Sequence, residues 1–226
     1  MGYPHFDPQV TTAEQRKKLS EVPRRCGMET IEVMIQDDYI TRDEDERNRR
    51  TEHTMECVRA AAEAGIGMVN VFTGPRFWDE GNPRLHRDIQ EGDAWNMVMD
   101  AYEKIVPVAE ECRVILALEI CNGMVCRDFY TCNHLLDHIN SDYLCINMDP
   151  SHHHLARNDI PWVIRQWGPK ITHVHLKDAI GNPGFQDETF VYPLPGDGVI
   201  DWNTVFDALE EVEYNGYYTV EYEAFH

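Results

Sequence analysis

Long apolar runs are missing from this 226-residue sequence. No stretch approaches the roughly 20 consecutive apolar residues a bilayer helix needs, and the opening MGYPHFDPQV has no apolar signal-peptide core. The expected location is therefore cytoplasmic, with no membrane partner. Seven cysteines occur without a CxxC pair, which reads as reduced thiols and not as a disulfide framework. Basic residues are scarce. Lys and Arg number 20 against 40 Asp and Glu, and the net charge of -20 opposes attraction to nucleic-acid phosphates. Neither GxGxxG nor GxxxxGK[ST] is present, so a nucleotide-binding reading has no anchor. Low-complexity tracts, short internal repeats and a Gly- or Pro-rich linker are also absent. Residues 1–226 read as one domain whose partner is a small molecule.

What is present is enough for a core. The composition is 42% hydrophobic, and a chain of this length buries roughly 70–75% of its unfolded surface. A short β-branched run, a polar loop and an amphipathic stretch alternate along the chain, which is the pattern of βα units around a parallel sheet. Six strands are predicted, at Thr30–Ile35, Gly67–Phe72, Arg113–Ile120, Tyr143–Met148, Ile171–Leu176 and Tyr217–Tyr222. The near-continuous apolar character of RVILALEI and YYTVEY predicts strands buried on both faces. Helices are predicted over AEQRKKLSEVPRR, from Glu46 to Ala64 ending at Gly65, and from Ala94 to Cys112 with a bend at Pro107. Asp159 and Asp201 are the expected N-caps of two more. Six strands with right-handed crossovers give either an open doubly wound sheet or part of an eight-stranded barrel.

Ionisable side chains interrupt the apolar runs at four strand ends. Glu119 closes ILALE, Asp149 closes INMD, His175 falls in HVHLKD, and Glu221 falls in YTVEYE. A charge inside a parallel sheet is costly to desolvate unless it is paired or binds a cation. In an α/β barrel these four positions would converge on the C-terminal mouth, where such folds hold their sites. Three carboxylates and an imidazole suit a divalent ion, Mn²⁺ or Mg²⁺ first and Co²⁺ or Zn²⁺ after them. In DPSHHH, His152 can face the same mouth as Asp149, while His153 and His154 read as solvated loop. His173 and His175 point the same way by strand alternation, one as ligand and the other as a core histidine. His134 and His138 lack the Glu of HExxH, EDERNRR reads as a solvated helix face, and no cysteine reads as a nucleophile.

The ordered motifs ALE, NMDPSH, HVHLKD, LPGDGVIDW and GYYTVEYE resemble the sugar phosphate isomerase/epimerase family with the xylose-isomerase-like barrel, from Leu116 to Glu223. That resemblance implies Glu119, Asp149, His175 and Glu221 as metal ligands, with Glu119 and Glu221 as acid and base on opposite faces of a sugar-derived substrate. It also implies His152 as a substrate contact, and Lys177 is placed beside it. The expected reaction is proton abstraction next to a carbonyl through an enediolate, giving isomerisation or epimerisation. Dehydration of an inosose type is the alternative on the same metal, and a non-catalytic binding or assembly subunit is the other.

The sequence departs from the family at two places. DAIGNPG lacks the arginine that ketose 3-epimerases carry after the histidine strand. At the front, YPHFDPQVTT reads as a polar loop where strands would stand, so two βα units are expected to be missing. The expected fold is a TIM-barrel-like sheet of about six strands with two open edges, which favours homo-oligomers. The related AP endonucleases need further histidines that GFQDETFVY does not supply, so DNA is not an expected substrate.

Overall fold

The computed structural model describes residues 7–75, 89–181 and 190–223. Parts of the predicted polar loop at 3–12 and of the stretches 178–184 and 184–192 lie outside the described residues. The chain begins with α1 (Ala13–Arg25), β1 (Val33–Ile35), α2 (Glu44–Ala64), β2 (Met68–Val71), α3 (Glu91–Cys112) and β3 (Ile115–Glu119). It continues through α4 (Phe129–Ile139), β4 (Leu144–Met148), α5 (Pro150–Leu155), α6 (Ile160–Trp167) and β5 (Ile171–Leu176). Two short strands, β6 (Ile180–Gly181) and β7 (Phe190–Val191), precede α7 (Trp202–Glu211) and β8 (Tyr218–Val220).

Helix ends follow local chemistry. Thr12 and Gln15 form a capping box on α1, and Asp43, Asp128, Asp159 and Asp201 each accept backbone N–H bonds at the start of α2, α4, α6 and α7. Gly65 closes α2 at φ 73°, a left-handed conformation that glycine adopts without penalty. Pro107 lies inside α3 without ending it.

Six strands form one sheet in the order β1-β2-β3-β4-β5-β8, with every neighbouring pair parallel. The sheet curls into an incomplete TIM barrel. Three strands separate β1 from β5 in the order, yet Glu32 at the foot of β1 comes within 3.3 Å of His175 on β5. At the open side, the Tyr217 hydroxyl donates to Glu29 Oε2 at 2.6 Å, a hydrogen bond between the two edges. β6 and β7 pair as a separate antiparallel ribbon that the sequence patterning did not indicate.

The core lies between sheet and helices. Leu116, Leu118, Ile146 and Val174 of the strands and Val98, Tyr102 and Ile105 of α3 are wholly buried in one cluster, with Trp95 and Met99 packed against it. Burial of these side chains contributes about 1.5–3 kcal/mol each. The expectation of burial on both faces holds for β3 and fails for the last strand. Tyr218 and Val220 are 42% and 68% exposed, because among the described residues β8 has β5 on one side and no strand on the other. Among the described residues no helix is long and apolar enough to cross a membrane.

Candidate metal centre

Strand ends deliver the site. Glu119 is the last residue of β3, Asp149 follows β4, His175 is the fifth residue of β5, and Glu221 follows β8. Parallel strands in one curled sheet bring these ends to a common mouth, and one donor atom from each lies within 4.8 Å of all the others. The four sequence-predicted ligands are therefore together. His175 Nδ1 stands 2.7 Å from Glu221 Oε2 and 3.6 Å from Glu119 Oε1. Donors around one ion with bonds of 2.0–2.2 Å stand about 3–3.5 Å apart, so little movement unites them.

Two of the four candidate ligands are oriented by neighbours. Asn70 of β2 and Asn147 of β4 donate to Glu119 Oε2 at 2.7 and 3.2 Å. Asp149 caps α5, its Oδ1 accepting from the Ser151 backbone N–H at 2.8 Å and hydroxyl at 2.6 Å, which leaves Oδ2 for the site. Asp149 Oδ2, His175 Nδ1 and Glu221 Oε2 are buried without a hydrogen-bond partner. Buried polar atoms are seldom left so. These three atoms meet only one another and the Lys177 ammonium, at 2.7–3.4 Å, and with Glu119 beside them the oxygen-rich set fits a divalent cation such as Mn²⁺, Mg²⁺ or Zn²⁺.

The predicted substrate residues border this quartet. Lys177 is 1% exposed, and its ammonium lies 2.9 Å from Asp149 Oδ2, 3.4 Å from Glu221 Oε2 and 3.3 Å from Glu223 Oε2. His152 Nε2 lies 3.1 Å from Lys177 Nζ, 3.5 Å from Glu119 Oε1 and 3.6 Å from Asp149 Oδ2. Cys121 and Tyr192 complete the pocket around His152, at 3.3 Å from Nε2 and Nδ1 respectively.

Electrostatics follow from burial and from this mixture of signs. Burial alone would raise the carboxyl of Glu119, but His175, His152 and Lys177 outweigh it and hold the group well below the usual carboxylate range. Asp149 is lowered in the same way, against burial, chiefly by Lys177. Burial works against the charged form of His175, yet Glu119 prevails and raises it. Lys177 is raised against its burial by Asp149, Glu119 and Glu221. Glu223 goes the other way, pushed up by burial. The Glu119 and Asp149 carboxylates are thus held in their ionised form in a closed space.

DPSHHH folds differently from its expectation. Pro150 at the first helical position and the Asp149 cap turn the segment into α5, and His153 is fully buried instead of solvated. His153 Nδ1 pairs with Asn158 Oδ1 at 2.9 Å, and burial pushes its pKa down to about 4. His154 is half-buried beside the Gly181 carbonyl. His134 and His138 stand apart from the site on α4, His134 against Trp95 and His138 against Glu103. Asn70, Asn147, Glu32, Tyr192 and Glu223 escaped the sequence reading. A polar residue inside the short apolar runs MVNV and LCINM was the one available signal for the two asparagines.

The sequence matches the xylose isomerase-like TIM barrel over residues 4–226. The chain belongs to that family. Within the xylose isomerase-like TIM barrels, a D-psicose 3-epimerase of Enterocloster bolteae is 28% identical over 130 residues, covering 56% of this chain and 39% of that protein. An inosose dehydratase of Geobacillus thermodenitrificans is 25% identical over 142 residues, covering 58% and 48%. The chain thus spans less than half the length of these curated relatives. Among solved structures, D-psicose 3-epimerase from Clostridium cellulolyticum H10, determined with D-tagatose, superposes with a TM-score of 0.76 at 16% identity, covering 94% of this chain and 70% of that one. A zinc-bound IOLI protein superposes at 0.73 with 18% identity, covering 94% and 73%. These structural likenesses establish the fold.

Proposed function

We propose that this chain is a divalent-metal-dependent isomerase or epimerase of a sugar or sugar phosphate. Glu119, Asp149, His175 and Glu221 hold the metal, and Glu119 and Glu221 exchange protons with the substrate. The observation that carries this reading is the convergence of one donor atom each from Glu119, Asp149, His175 and Glu221, from four strand ends, within 4.8 Å of one another. A divalent cation, when bound, draws charge from a carbonyl oxygen and lowers the pKa of the neighbouring C–H.

The chain's own groups do the rest. β4 and β5 lie between β3 and β8 in the sheet order, and this separation supports an approach of Glu119 and Glu221 to the substrate from different sides. One carboxylate removes the proton from the carbon beside the carbonyl. The other returns a proton to the opposite face of that carbon, or to its neighbour, giving epimer or isomer respectively. His152 and Lys177 hold substrate oxygens, and the ammonium adds positive charge where the enediolate develops. Tyr192, whose ring lies 4.9 Å from the Lys177 ammonium, helps exclude water.

Dehydration is the second reading, favoured by the inosose dehydratases among the relatives at 24–26% identity. On the same site, loss of a β-hydroxyl would follow the same proton abstraction. Incubation in deuterated water with ketoses, hydroxypyruvate and inososes tests both. Epimerisation or isomerisation incorporates deuterium at carbon without loss of water, and dehydration yields an unsaturated or keto product. Glu119→Gln and Glu221→Gln each abolish exchange on this account, and unchanged exchange in both variants refutes the two-glutamate mechanism.

A further inference from the structure

One carboxylate from the far side of the barrel faces both inward histidines of β5. His173 and His175 alternate along the strand and so share a face. Their Nε2 atoms stand 3.4 and 3.3 Å from the same oxygen, Glu32 Oε1. Glu32 immediately precedes β1 and lies 143 residues from His175 in the chain. It is not among the four gathered donors, and its second oxygen, Oε2, is buried without a hydrogen-bond partner.

An imidazole that binds a cation keeps one proton: the nitrogen on the cation must be bare and the other must donate. His175 turns Nδ1 toward Glu221 and Glu119 and turns Nε2 toward Glu32. Asn147 competes for the same nitrogen, because its Nδ2 lies 3.1 Å from His175 Nε2 as well as 3.2 Å from Glu119 Oε2. An amide donating to Nε2 selects the tautomer with its proton on Nδ1, which closes that nitrogen to a cation. A carboxylate accepting from Nε2 selects the open tautomer. Of these two neighbours Glu32 is the carboxylate, and an N–H bond to a carboxylate is the stronger kind.

We infer that Glu32 is the positioning residue of the His175 ligand: it accepts the Nε2 proton across the barrel interior and leaves Nδ1 bare toward Glu119, Asp149 and Glu221. This rests on the metal-binding reading of the quartet. Carboxylates that orient a ligating histidine typically change metal affinity by 10–100-fold when removed. His173 occupies its own place, with Nε2 2.8 Å from Thr219 Oγ1, and shares the Glu32 oxygen without reaching the quartet.

Calorimetric titration of the chelator-stripped full chain with Mn²⁺ tests the inference. The variants are Glu32→Leu, which has no acceptor, Glu32→Gln, whose carbonyl still accepts, and Glu29→Gln as a control at the neighbouring Tyr217 contact. The thermal midpoint of each metal-free protein is measured alongside. Wild type and Glu29→Gln are expected to bind one equivalent alike. Glu32→Leu is expected to bind one equivalent 10–100-fold more weakly, with Glu32→Gln between them and all variants folded. Equal affinity in folded Glu32→Leu overturns the inference, and if that variant does not fold, equal affinity in Glu32→Gln does so. Two equivalents in wild type and one in Glu32→Leu also overturn it, because Glu32 would then be a ligand of a second cation. If wild type binds no Mn²⁺, Mg²⁺ or Zn²⁺, the quartet reading itself falls, whatever Glu32 does.

Discussion

Acidification tests the buried histidine of α5. His153 is wholly buried, and its pKa is pushed down to about 4 from 6.5 chiefly by burial. The sign follows directly. The unfolded chain takes up this proton as pH falls below about 6.5 and the folded chain does not, so the contribution to stability is full above 6.5 and is lost as pH falls toward 4. With those two values, the linkage relation gives a loss of about 2 kcal/mol between pH 7 and pH 5. Urea unfolding at both pH values, in chelator, measures it for wild type and for His153→Gln. Carboxylate titrations elsewhere are common to both proteins and cancel in the difference. Wild type should lose about 2 kcal/mol more than the variant over this interval, whatever their absolute stabilities. Equal losses would refute the assignment of His153 as a buried neutral histidine and, with it, the packing that holds α5 and His152 against the site.

Three further outcomes are expected. Asp178 accepts from the backbone N–H groups of Ala179, Gly196, Gly198 and Ile200 and from Trp202 Nε1, so Asp178→Ala should lower urea stability by about 3 kcal/mol or more; a loss under about 1 kcal/mol would contradict that role. Lys177→Met removes an ammonium that faces Asp149 Oδ2 and Glu221 Oε2. It should tighten Mn²⁺ binding at least about tenfold while lowering turnover, and unchanged or weaker binding in calorimetry would count against the reading. His53 is raised to about 11 by its hydrogen bond to Asp37, so this pair stabilises fully below about 6.5 and its contribution is lost as pH climbs toward 11. The gap in thermal midpoint between wild type and Asp37→Asn should therefore narrow from pH 6 to pH 10, and a constant gap would exclude the ion pair.

The strands were legible where continuous apolar runs stand between neighbours, as in β3 and β4. They were least legible at the edges. The predicted Thr30–Ile35 strand ladders from Val33 onward, and YYTVEY reads as a buried run although β8 has one neighbour, β5, among the described residues. β6 and β7, two residues each, carry no periodicity at all. Glu119, Asp149, His175 and Glu221 were legible because each interrupts or ends an apolar run with an ionisable group. Glu32 was not, because a glutamate alternating with Ile31 and Val33 reads as the solvent face of a strand. The curl of the sheet turns it inward, and curl is a property of six strands together. His153 was misread because three consecutive histidines look polar, whereas the Asp149 cap and Pro150 make a helix that hides the middle one.

The division of labour between the two oxygens of Asp149 has a practical consequence. Oδ1 starts a helix and Oδ2 faces the candidate cation site, so the helix start and the proposed metal binding hang on one side chain but on separable atoms. Serine initiates helices nearly as well as aspartate and offers a single oxygen. On the proposed metal reading, an Asp149→Ser chain should therefore keep the start of α5 while losing one of the four donors, which calorimetric titration with Mn²⁺ would show as weakened binding.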